Sequence, residues 1–405
     1  MSDLKQDALD YHQHPVPGKI ATKLTKPTET QRDLSLAYSP GVAEPCKEIH
    51  KNPNDVYKYT AKGNLVAVIT DGTAVLGLGD IGAMAGKPVM EGKGVLFKRF
   101  ADIDVFDIEV NAKDPQEFIQ TVENIADTFG GINLEDIAAP HCFEIEKTLI
   151  EKLDIPVFHD DQHGTAIVIS AGITNALKLR NKQLADCKIV CLGAGAAGVA
   201  SMTMLVNLGA KQENIYMIDR QGVLRSELSY IDEYRRPFIN DNGAKNIESA
   251  IKDADIFIGV SGPNLLSAEM LASMAPKPIV FALANPDPEI KPELAWQTRD
   301  DLIMATGRSD YPNQVNNVLC FPFLFKGALS VRAKIINTEM KIAAVEAIAS
   351  IARMDVPDSV KHIHNNPDLT FGEHYVIPSP FDPRLNEIVS KAVADAAVKS
   401  GVARI

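Results

Sequence analysis

Two adjacent carboxylates, Asp160 and Asp161, follow a short apolar segment and precede an apolar run that begins near Gly164. Like charges this close raise the free-energy cost of ionising each other, unless a cation lies between them or one group is protonated. The pair is therefore a candidate for a metal site or for acid–base chemistry. The alternative is a solvated turn in which Asp160 is the N-cap of the next helix.

A second acidic pair, Glu135 and Asp136, lies at the end of the strand predicted for residues 132–138. The carboxyl ends of neighbouring parallel strands meet at one edge of a sheet, so we expect the two pairs to converge. Four clustered carboxylates are unfavourable unless a hard divalent cation binds them, and an all-oxygen ligand set favours Mg²⁺ or Mn²⁺ over zinc. Considered alone, the second pair is more typical of a solvated loop.

A glycine-rich turn, GAGAAG at residues 193–198, follows the apolar strand KIVCL and opens a helix. This is the context of a dinucleotide-binding turn, in which backbone N–H groups and the helix N-terminus meet a pyrophosphate. Asp219 would bind the ribose 2′-hydroxyl of NAD, whereas Arg220 could contact the 2′-phosphate of NADP, so both cofactors stay open. The alternative is a tight turn with no ligand. The predicted cofactor contacts are Gly193, Gly195, Ala196, Ala197, Gly198, Asp219 and Arg220.

Strands alternate with helices along most of the chain, which indicates parallel α/β units. We predict an α/β fold with a substrate and metal domain over residues 1–160 and a doubly wound, Rossmann-type dinucleotide-binding domain over 161–316. The Ala-rich segment 317–405 is predicted to be helical, with one helical stretch over 325–354, and to return to the first domain. The first 60 or so residues lack a clear period, and we expect an extended arm with short helices that packs on another surface, with another subunit as one candidate.

Composition excludes several classes of function. The 405 residues carry a formal net charge of −12, which argues against a nucleic-acid partner because phosphate binding needs a concentrated basic face. The N-terminus has no apolar signal core, and apolar runs are too short for a membrane span. Five cysteines form no CxxC pattern, which fits a reducing compartment, so we expect a cytoplasmic protein.

Nine segments in chain order carry a wider pattern: AYSPGVAEPC, VITDGTAVLGLGDIG, PVMEGKGVLFK, IDVFDIEV, INLEDIAAP, FHDDQHGTA, CLGAGAAG, FALANPDPE and GRSDYPNQVNN. They cover almost the whole chain and resemble the malic enzymes, specifically the small bacterial NAD(P)-dependent type. The resemblance implies oxidative decarboxylation of L-malate to pyruvate and CO₂ with reduction of NADP or NAD. It also implies a divalent cation, an active site in the cleft between the two domains, and a homodimer or higher oligomer.

The resemblance further implies roles for single residues. Lys93 would be the base that takes the proton of the C2 hydroxyl, and Tyr38 would be the acid that protonates the enol at C3. Considered alone, Lys93 would be a surface lysine and Tyr38 a packing aromatic. The implied site residues are the metal ligands Glu135, Asp136 and Asp161, the catalytic residues Tyr38, Lys93 and Asp160, and the substrate contacts Asn285 and Asn317, of which Asn285 also belongs to the cofactor set.

The chain departs from the larger family members at the run that follows Asp71, where they carry an arginine and this chain has none. Backbone amides of residues 79–82, with Asn285 and Asn317, are the candidates for holding the malate carboxylate distal to the metal. The longer bacterial relatives continue past SGVARI into a phosphotransacetylase-like domain, and we expect regulation by acetyl-CoA to be absent without it.

Two other functions stay open at this point. A malolactic conversion of malate with tightly held NAD would use a similar site but would not reduce free cofactor. A nucleotide-sensing regulatory subunit would bind the dinucleotide without turnover, and the presence of Tyr38, Lys93 and the acidic pairs argues against it.

Overall fold

Two parallel β-sheets flanked by helices form the protein, as described by a computed structural model over residues 2–405, with side chains from residue 4 onward. The strands are β1 (Leu65–Thr70), β2 (Asp104–Glu109), β3 (Gly131–Leu134), β4 (Val157–His159), β5 (Ile189–Leu192), β6 (Ile215–Asp219), β7 (Gly222–Val223), β8 (Ile256–Gly259), β9 (Ile279–Ala282) and β10 (Ile303–Thr306). The α/β fold class predicted from the sequence is confirmed.

Helices separate most of these strands. They are α1 (Ser2–Gln13), α2 (Gln31–Ala37), α3 (Ala43–Lys51), α4 (Val56–Tyr59), α5 (Ala83–Ala101), α6 (Pro115–Ile125), α7 (His141–Lys152), α8 (Asp160–Arg180), α9 (Ala196–Asn207), α10 (Ile247–Ile251), α11 (Ala268–Ala272), α12 (Pro292–Thr298), α13 (Phe321–Ser330), α14 (Thr338–Arg353), α15 (Asp358–Ile363) and α16 (Arg384–Lys399). None of the helices within residues 2–405 is long and apolar enough to cross a lipid bilayer.

The first sheet has the strand order β2-β1-β3-β4, and all its pairs are parallel. The second sheet has the order β10-β9-β8-β5-β6-β7, in which β7 alone pairs antiparallel. Strands β1, β5, β8, β9 and β10 are buried along their whole length. Continuous apolar strands of this kind arise because helices cover both faces of a parallel sheet.

The C-terminal helices pack on the first unit, as the fold-class prediction states. The ring of Phe97 on α5 lies 4.8 Å from the ring of Phe321 and 5.4 Å from that of Phe325, both on α13. The prediction of one helical stretch over 325–354 is wrong, because helix α13 ends at Ser330 and helix α14 begins only at Thr338. Arg332 adopts a left-handed backbone conformation (φ +47°), and Asn337 caps α14 by accepting a hydrogen bond from the Met340 amide.

The N-terminal arm, residues 4–60, is mostly exposed. It contacts α5 where the Lys19 amide donates to Glu91 Oε2 at 3.0 Å. Large apolar side chains of the arm point to solvent, namely Leu4, Leu9, Tyr11, Val16, Leu24, Leu34, Leu36 and Tyr38. That the arm packs on another subunit stays a prediction, which this exposed apolar surface favours.

Candidate active site

Three carboxylates converge at the carboxyl edge of the first sheet. Glu135 and Asp136 follow β3, and Asp161 lies in the first turn of α8, directly after the neighbouring strand β4. One oxygen from each of the three lies within 4.8 Å of the other two. The Asp136 amide donates to Asp161 Oδ2 at 2.7 Å and so holds the third carboxylate beside the first two. The strand-end argument made from the sequence therefore leads to a compact cluster.

This cluster fits a hard divalent cation. Asp136 Oδ2 is buried and has no hydrogen-bond partner among the described residues. Burial, followed by the charges of Asp161 and Glu135, raises the pKa of Asp136 to about 8. Burial is also the main cause that raises the pKa of Glu135 to about 7 and that of Asp161 to about 6. Oxygen ligands whose negative charge is poorly compensated are the donor set that Mg²⁺ or Mn²⁺ prefers.

The amine of Lys93 lies inside the cluster. Its Nζ is 2.8 Å from Glu135 Oε1, 2.8 Å from Asp160 Oδ2 and 4.4 Å from the centre of the Phe321 ring. Lys93 is only 6% exposed, so the alternative of a surface lysine is wrong. Burial lowers the pKa of Lys93, but the nearby carboxylates outweigh it and hold the pKa above its ordinary value.

Asp160 is fully buried at the start of α8. The N-cap of α8 is His159 and not Asp160, so the N-cap alternative is wrong, because the Asp160 carboxylate turns inward to Lys93. Gly164 makes this possible, since a Cβ there would lie 1.8 Å from Asp160 Oδ1. Burial raises the pKa of Asp160 to about 7, and the positive charge of Lys93 opposes the rise. Asn317 lies nearby, because its Cβ would be 3.4 Å from a Cβ added at Gly164.

A second layer of polar contacts holds the cluster, and sequence reasoning missed it. Glu146 on α7 accepts hydrogen bonds from the His159 amide at 2.9 Å and contacts His163 Nε2 at 2.9 Å. The Asn133 amide group donates to Glu135 Oε2 at 2.9 Å. Glu146 fixes the turn between β4 and α8 that carries two of the acidic residues. Its position within an amphipathic helix gave no signal of this contact.

The glycine-rich turn has the shape of a dinucleotide site. Gly193 has a φ of +120°, and a Cβ there would lie 2.8 Å from the Val260 carbonyl oxygen. A Cβ on Gly198 would lie 1.9 Å from the Gly193 carbonyl oxygen, so strand and helix approach as closely as glycine permits. Nothing lies within 4 Å of the corresponding position at Gly195, just before α9 begins at Ala196. This open space at a helix N-terminus suits a phosphate group.

The sequence predicts that Asp219 and Arg220 contact the ribose 2′ position of the cofactor, and the structure gives Asp219 other contacts. Asp219 Oδ2 accepts a hydrogen bond from the Tyr230 hydroxyl at 2.8 Å, and Asp219 Oδ1 accepts one from the Gln221 amide. Arg220 forms no ion pair within the part of the chain that the structure describes. Instead Arg235 reaches the glycine turn, where its Nε donates to the Ala194 carbonyl oxygen at 2.8 Å. Arg235 was missed because it lies in an irregular segment far along the chain.

Asn285 lies where the two units meet. A Cβ on Gly307 would lie 2.6 Å from Asn285 Nδ2, and a Cβ on Gly77 would lie 3.2 Å from the Asn285 carbonyl oxygen. The expectation for the amides of residues 79–82 needs a correction. The amides of Ile81 and Gly82 both donate to the Gly72 carbonyl oxygen, so they are not free for a substrate carboxylate.

Tyr38 does not join the cluster in this chain. It is the C-cap residue of α2, and its side chain is 77% exposed. The alternative that Tyr38 is an aromatic residue packed in the core of its own chain is therefore wrong. A side chain with this exposure makes few contacts with its own protein, whereas Lys93 and Asp160 are buried.

The second sheet has the glycine-rich turn of a dinucleotide-binding unit, and the first unit carries a cluster of three carboxylates, of which Glu135 and Asp136 are buried and Asp161 is partly exposed. These features define a two-unit nucleotide-binding protein with a candidate cation centre. Residues 17–150 match the family model "Malic enzyme, N-terminal domain", and residues 162–365 match "Malic enzyme, NAD binding domain". The chain belongs to the malic enzyme family.

Individual relatives agree with this placement. The chain is 59% identical to the NADP-dependent malic enzyme of Halomonas elongata over 405 residues, which is 100% of this chain and 96% of that one. It is 58% identical over 402 residues to the NADP-dependent malic enzyme of Escherichia coli, covering 99% of this chain and 53% of that relative. It therefore spans about half the length of the E. coli relative. The crystal structure of the malic enzyme from Pyrococcus horikoshii is similar, with a TM-score of 0.90 and 46% identity over 99% of this chain and 92% of the other.

Proposed function

We propose that the chain catalyses the oxidative decarboxylation of L-malate to pyruvate and CO₂ with reduction of NADP. The observation that carries the proposal is Lys93, whose amine lies 2.8 Å from both Glu135 and Asp160 within the buried carboxylate cluster. An amine held beside cation ligands suits a reaction that needs a base at a hydroxyl group being oxidised. The names of the H. elongata and E. coli relatives support this reading.

The cluster accounts for the chemistry at C2 of malate. Glu135, Asp136 and Asp161 would hold a Mg²⁺ or Mn²⁺ ion. When bound, the ion would supply positive charge near the C2 oxygen and stabilise the enolate that remains after CO₂ leaves. Compensation of the cluster's negative charge would lower the pKa of Lys93 toward the range of a base. Lys93 would then accept the C2 hydroxyl proton, and Asp160, hydrogen-bonded to it, would relay that proton.

Two asparagines are proposed to hold the substrate. Asn317 lies beside Gly164, next to the Asp160 carboxylate, and Asn285 lies where the two units meet. Because the amides of the last two residues of the 79–82 turn are occupied, the amides of Gly79 and Asp80 are the remaining candidates in that turn for the distal carboxylate. Open space beside Gly79 supports this assignment.

Tyr38 is proposed to act from a second copy of the chain. Its hydroxyl would protonate C3 of the enol, yet its side chain is 77% exposed and lies outside the buried cluster of its own chain. The arm that carries Tyr38 also exposes a row of large apolar side chains, which is typical of an interface. A homodimer in which each arm completes the partner's site would satisfy both observations.

NADP is the proposed cofactor, with NAD as the alternative. Asp219, the residue that would bind a ribose hydroxyl of NAD, is engaged by the Tyr230 hydroxyl. Arg235 brings a guanidinium group to the glycine turn, and a guanidinium pairs well with a phosphate. The Arg235 contact and the NADP named for the two relatives favour a cofactor with a 2′-phosphate.

The proposed domain boundaries stay as the sequence suggests, at 1–160, 161–316 and 317–405. Two features support them. The first sheet ends at His159, just before α8, and α13 turns back to α5 after the last strand of the second sheet.

The test is an initial-rate assay of cofactor reduction with L-malate, Mn²⁺ and either NADP or NAD, followed by assays of pyruvate, oxaloacetate and lactate. The proposal expects faster reduction of NADP and one pyruvate for each NADPH. Oxaloacetate in place of pyruvate would indicate a plain dehydrogenase. Lactate without net cofactor reduction would indicate the malolactic conversion, and no product at all would favour a regulatory subunit.

A further inference from the structure

A buried carboxylate outside the metal cluster, Glu289, lies at the carboxyl edge of the second sheet. Its side chain is 0% exposed. Oε1 accepts a hydrogen bond from the Ser261 amide at 2.9 Å, and Oε2 accepts one from the Ala284 amide at 3.1 Å. Ser261 follows β8 by two residues, and Ala284 follows β9 by two residues. One side chain therefore ties together two neighbouring strand ends.

The glycine at the end of strand β8 leaves the space that this carboxylate occupies. A Cβ at Gly259, the last residue of β8, would lie 2.4 Å from Glu289 Cδ. Any side chain there would therefore displace the carboxylate from the two amides it bridges. A buried carboxylate is costly unless its oxygens are hydrogen-bonded, and here each oxygen has a backbone donor.

The strand ends that Glu289 connects lie beside the proposed active site. Ala284 directly precedes Asn285, whose amide group lies against the backbone at Gly307 and whose carbonyl oxygen lies against the turn at Gly77 of the first unit. Ligands of open parallel sheets bind outside the carboxyl ends of the strands. The glycine-rich turn that follows β5 lies at the same edge, because β5 pairs parallel with β8. Glu289 therefore connects the strand ends directly beside Asn285, the residue that approaches the first unit at Gly77.

A second carboxylate, Asp255, lies at the opposite end of strand β8 and offers a comparison with Glu289. Asp255, which directly precedes β8, also accepts a hydrogen bond from a backbone amide, that of Lys188, at 2.9 Å. It pairs with the Lys182 amine at 2.6 Å. This edge carries none of the proposed site residues. Asp255 thus serves as a comparison for the loss of a charge at a carboxylate that accepts from a backbone amide away from the site.

We infer that Glu289 is a positioning residue for the nicotinamide end of the cofactor, acting through the Ser261 and Ala284 amides and the adjoining Asn285. It would hold the ends of β8 and β9 at a fixed separation, so that the nicotinamide ring is oriented toward C2 of the substrate. This inference rests on the proposed function, because it assumes that a nicotinamide dinucleotide occupies the second sheet.

The test uses Glu289→Gln, which keeps the shape of the side chain but replaces one acceptor oxygen with an NH₂ group that cannot accept from an amide. We expect the Kd of NADPH, measured by nicotinamide fluorescence without malate, to rise about tenfold, and kcat to fall by at least a similar factor. Mn²⁺ binding, measured by electron paramagnetic resonance, should not change, since the cation ligands lie on the other sheet. Asp255→Asn is the matched control and should leave Kd and kcat unchanged.

Equal NADPH affinity and equal kcat in the wild type and Glu289→Gln would overturn the inference. So would equal losses in Glu289→Gln and Asp255→Asn, since both would then reflect general stability. If Glu289→Gln does not fold, Glu289→Asp, which retains both oxygens with a shorter reach, takes its place and should weaken NADPH binding more than the control does. A wild type that binds NADPH but does not oxidise malate would refute the proposed function, and the comparison of affinities would still decide the role of Glu289.

Discussion

The substitution Asp136→Asn should stabilise the metal-free protein and abolish its response to metal. Asp136 has a left-handed backbone conformation (φ +55°), which asparagine tolerates well, so the change removes a charge without straining the chain. Burial raises the pKa of Asp136 to about 8 in the folded chain, from an ordinary value near 4. An acid whose pKa is raised by folding destabilises the folded state. The penalty is small near pH 4 and reaches its full size above pH 8.

The size of the effect follows from this pKa. At about 1.4 kcal/mol for each tenfold change in acidity, the full penalty above pH 8 is about 6 kcal/mol, and most of it is present at pH 8. Glu135 and Asp161 share the repulsion, and a buried amide keeps part of the desolvation cost, so we expect Asp136→Asn to recover about 2 kcal/mol. For a chain of this length the midpoint of thermal unfolding should rise by about 2–4 °C at pH 8. At pH 5 the gain should be roughly a third of that or less.

The assay is thermal unfolding followed by circular dichroism in EDTA and then with Mn²⁺. Mn²⁺ at one hundred times its Kd should stabilise the wild type by about 2.7 kcal/mol and the variant by almost nothing. Asp102→Asn is the matched control, since Asp102 is also left-handed (φ +51°) but is exposed and paired with Lys98. It should give no gain at pH 8. A variant less stable than the wild type in EDTA at pH 8, or a gain independent of pH, would refute the reasoning.

Four further substitutions test other parts of the site. Arg235→Gln should raise the KM for NADP by about tenfold, because a charge-assisted hydrogen bond is lost, with little change for NAD. Tyr38→Phe and Lys93→Ala should each be nearly inactive, but refolding them together should restore about a quarter of the activity, because half the dimers then contain one intact site. No recovery would place Tyr38 in its own chain's site. Gly164→Ala should lower kcat by about a hundredfold by displacing the carboxylate beside it, whereas Gly63→Ala, at an uncrowded position, should not.

The sequence predicts those parts of the site that depend on local pattern. The convergence of Glu135, Asp136 and Asp161 follows from the rule that parallel strands end at one edge, and the structure brings their oxygens within 4.8 Å of one another. The position of the glycine-rich turn can also be predicted from the sequence, because the spacing of its glycines reflects close backbone contacts within a single βα unit. The order of the strands within each sheet could not be derived this way, since it depends on contacts between distant segments.

Other site contacts have no local signal. Arg235 reaches Ala194 from 41 residues away, and Glu289 bridges two strand ends from a loop beyond both. The inward turn of Asp160 depends on the space left by Gly164, which looks like an ordinary helix residue in the sequence. Tyr38 illustrates a further limit, because its side chain is exposed in a single chain and the proposed contact with a partner's site cannot be derived from one chain.

The most direct test of the central claim follows the fate of the malate C4 carboxyl group. L-Malate labelled with ¹³C at C4 would be incubated with the protein, Mn²⁺ and NADP, while ¹³CO₂ and NADPH are measured together by nuclear magnetic resonance and absorbance. Oxidative decarboxylation predicts one labelled CO₂ for each NADPH, with pyruvate as the product and no reaction after EDTA treatment. NADPH without labelled CO₂, or labelled CO₂ without NADPH, would contradict the account.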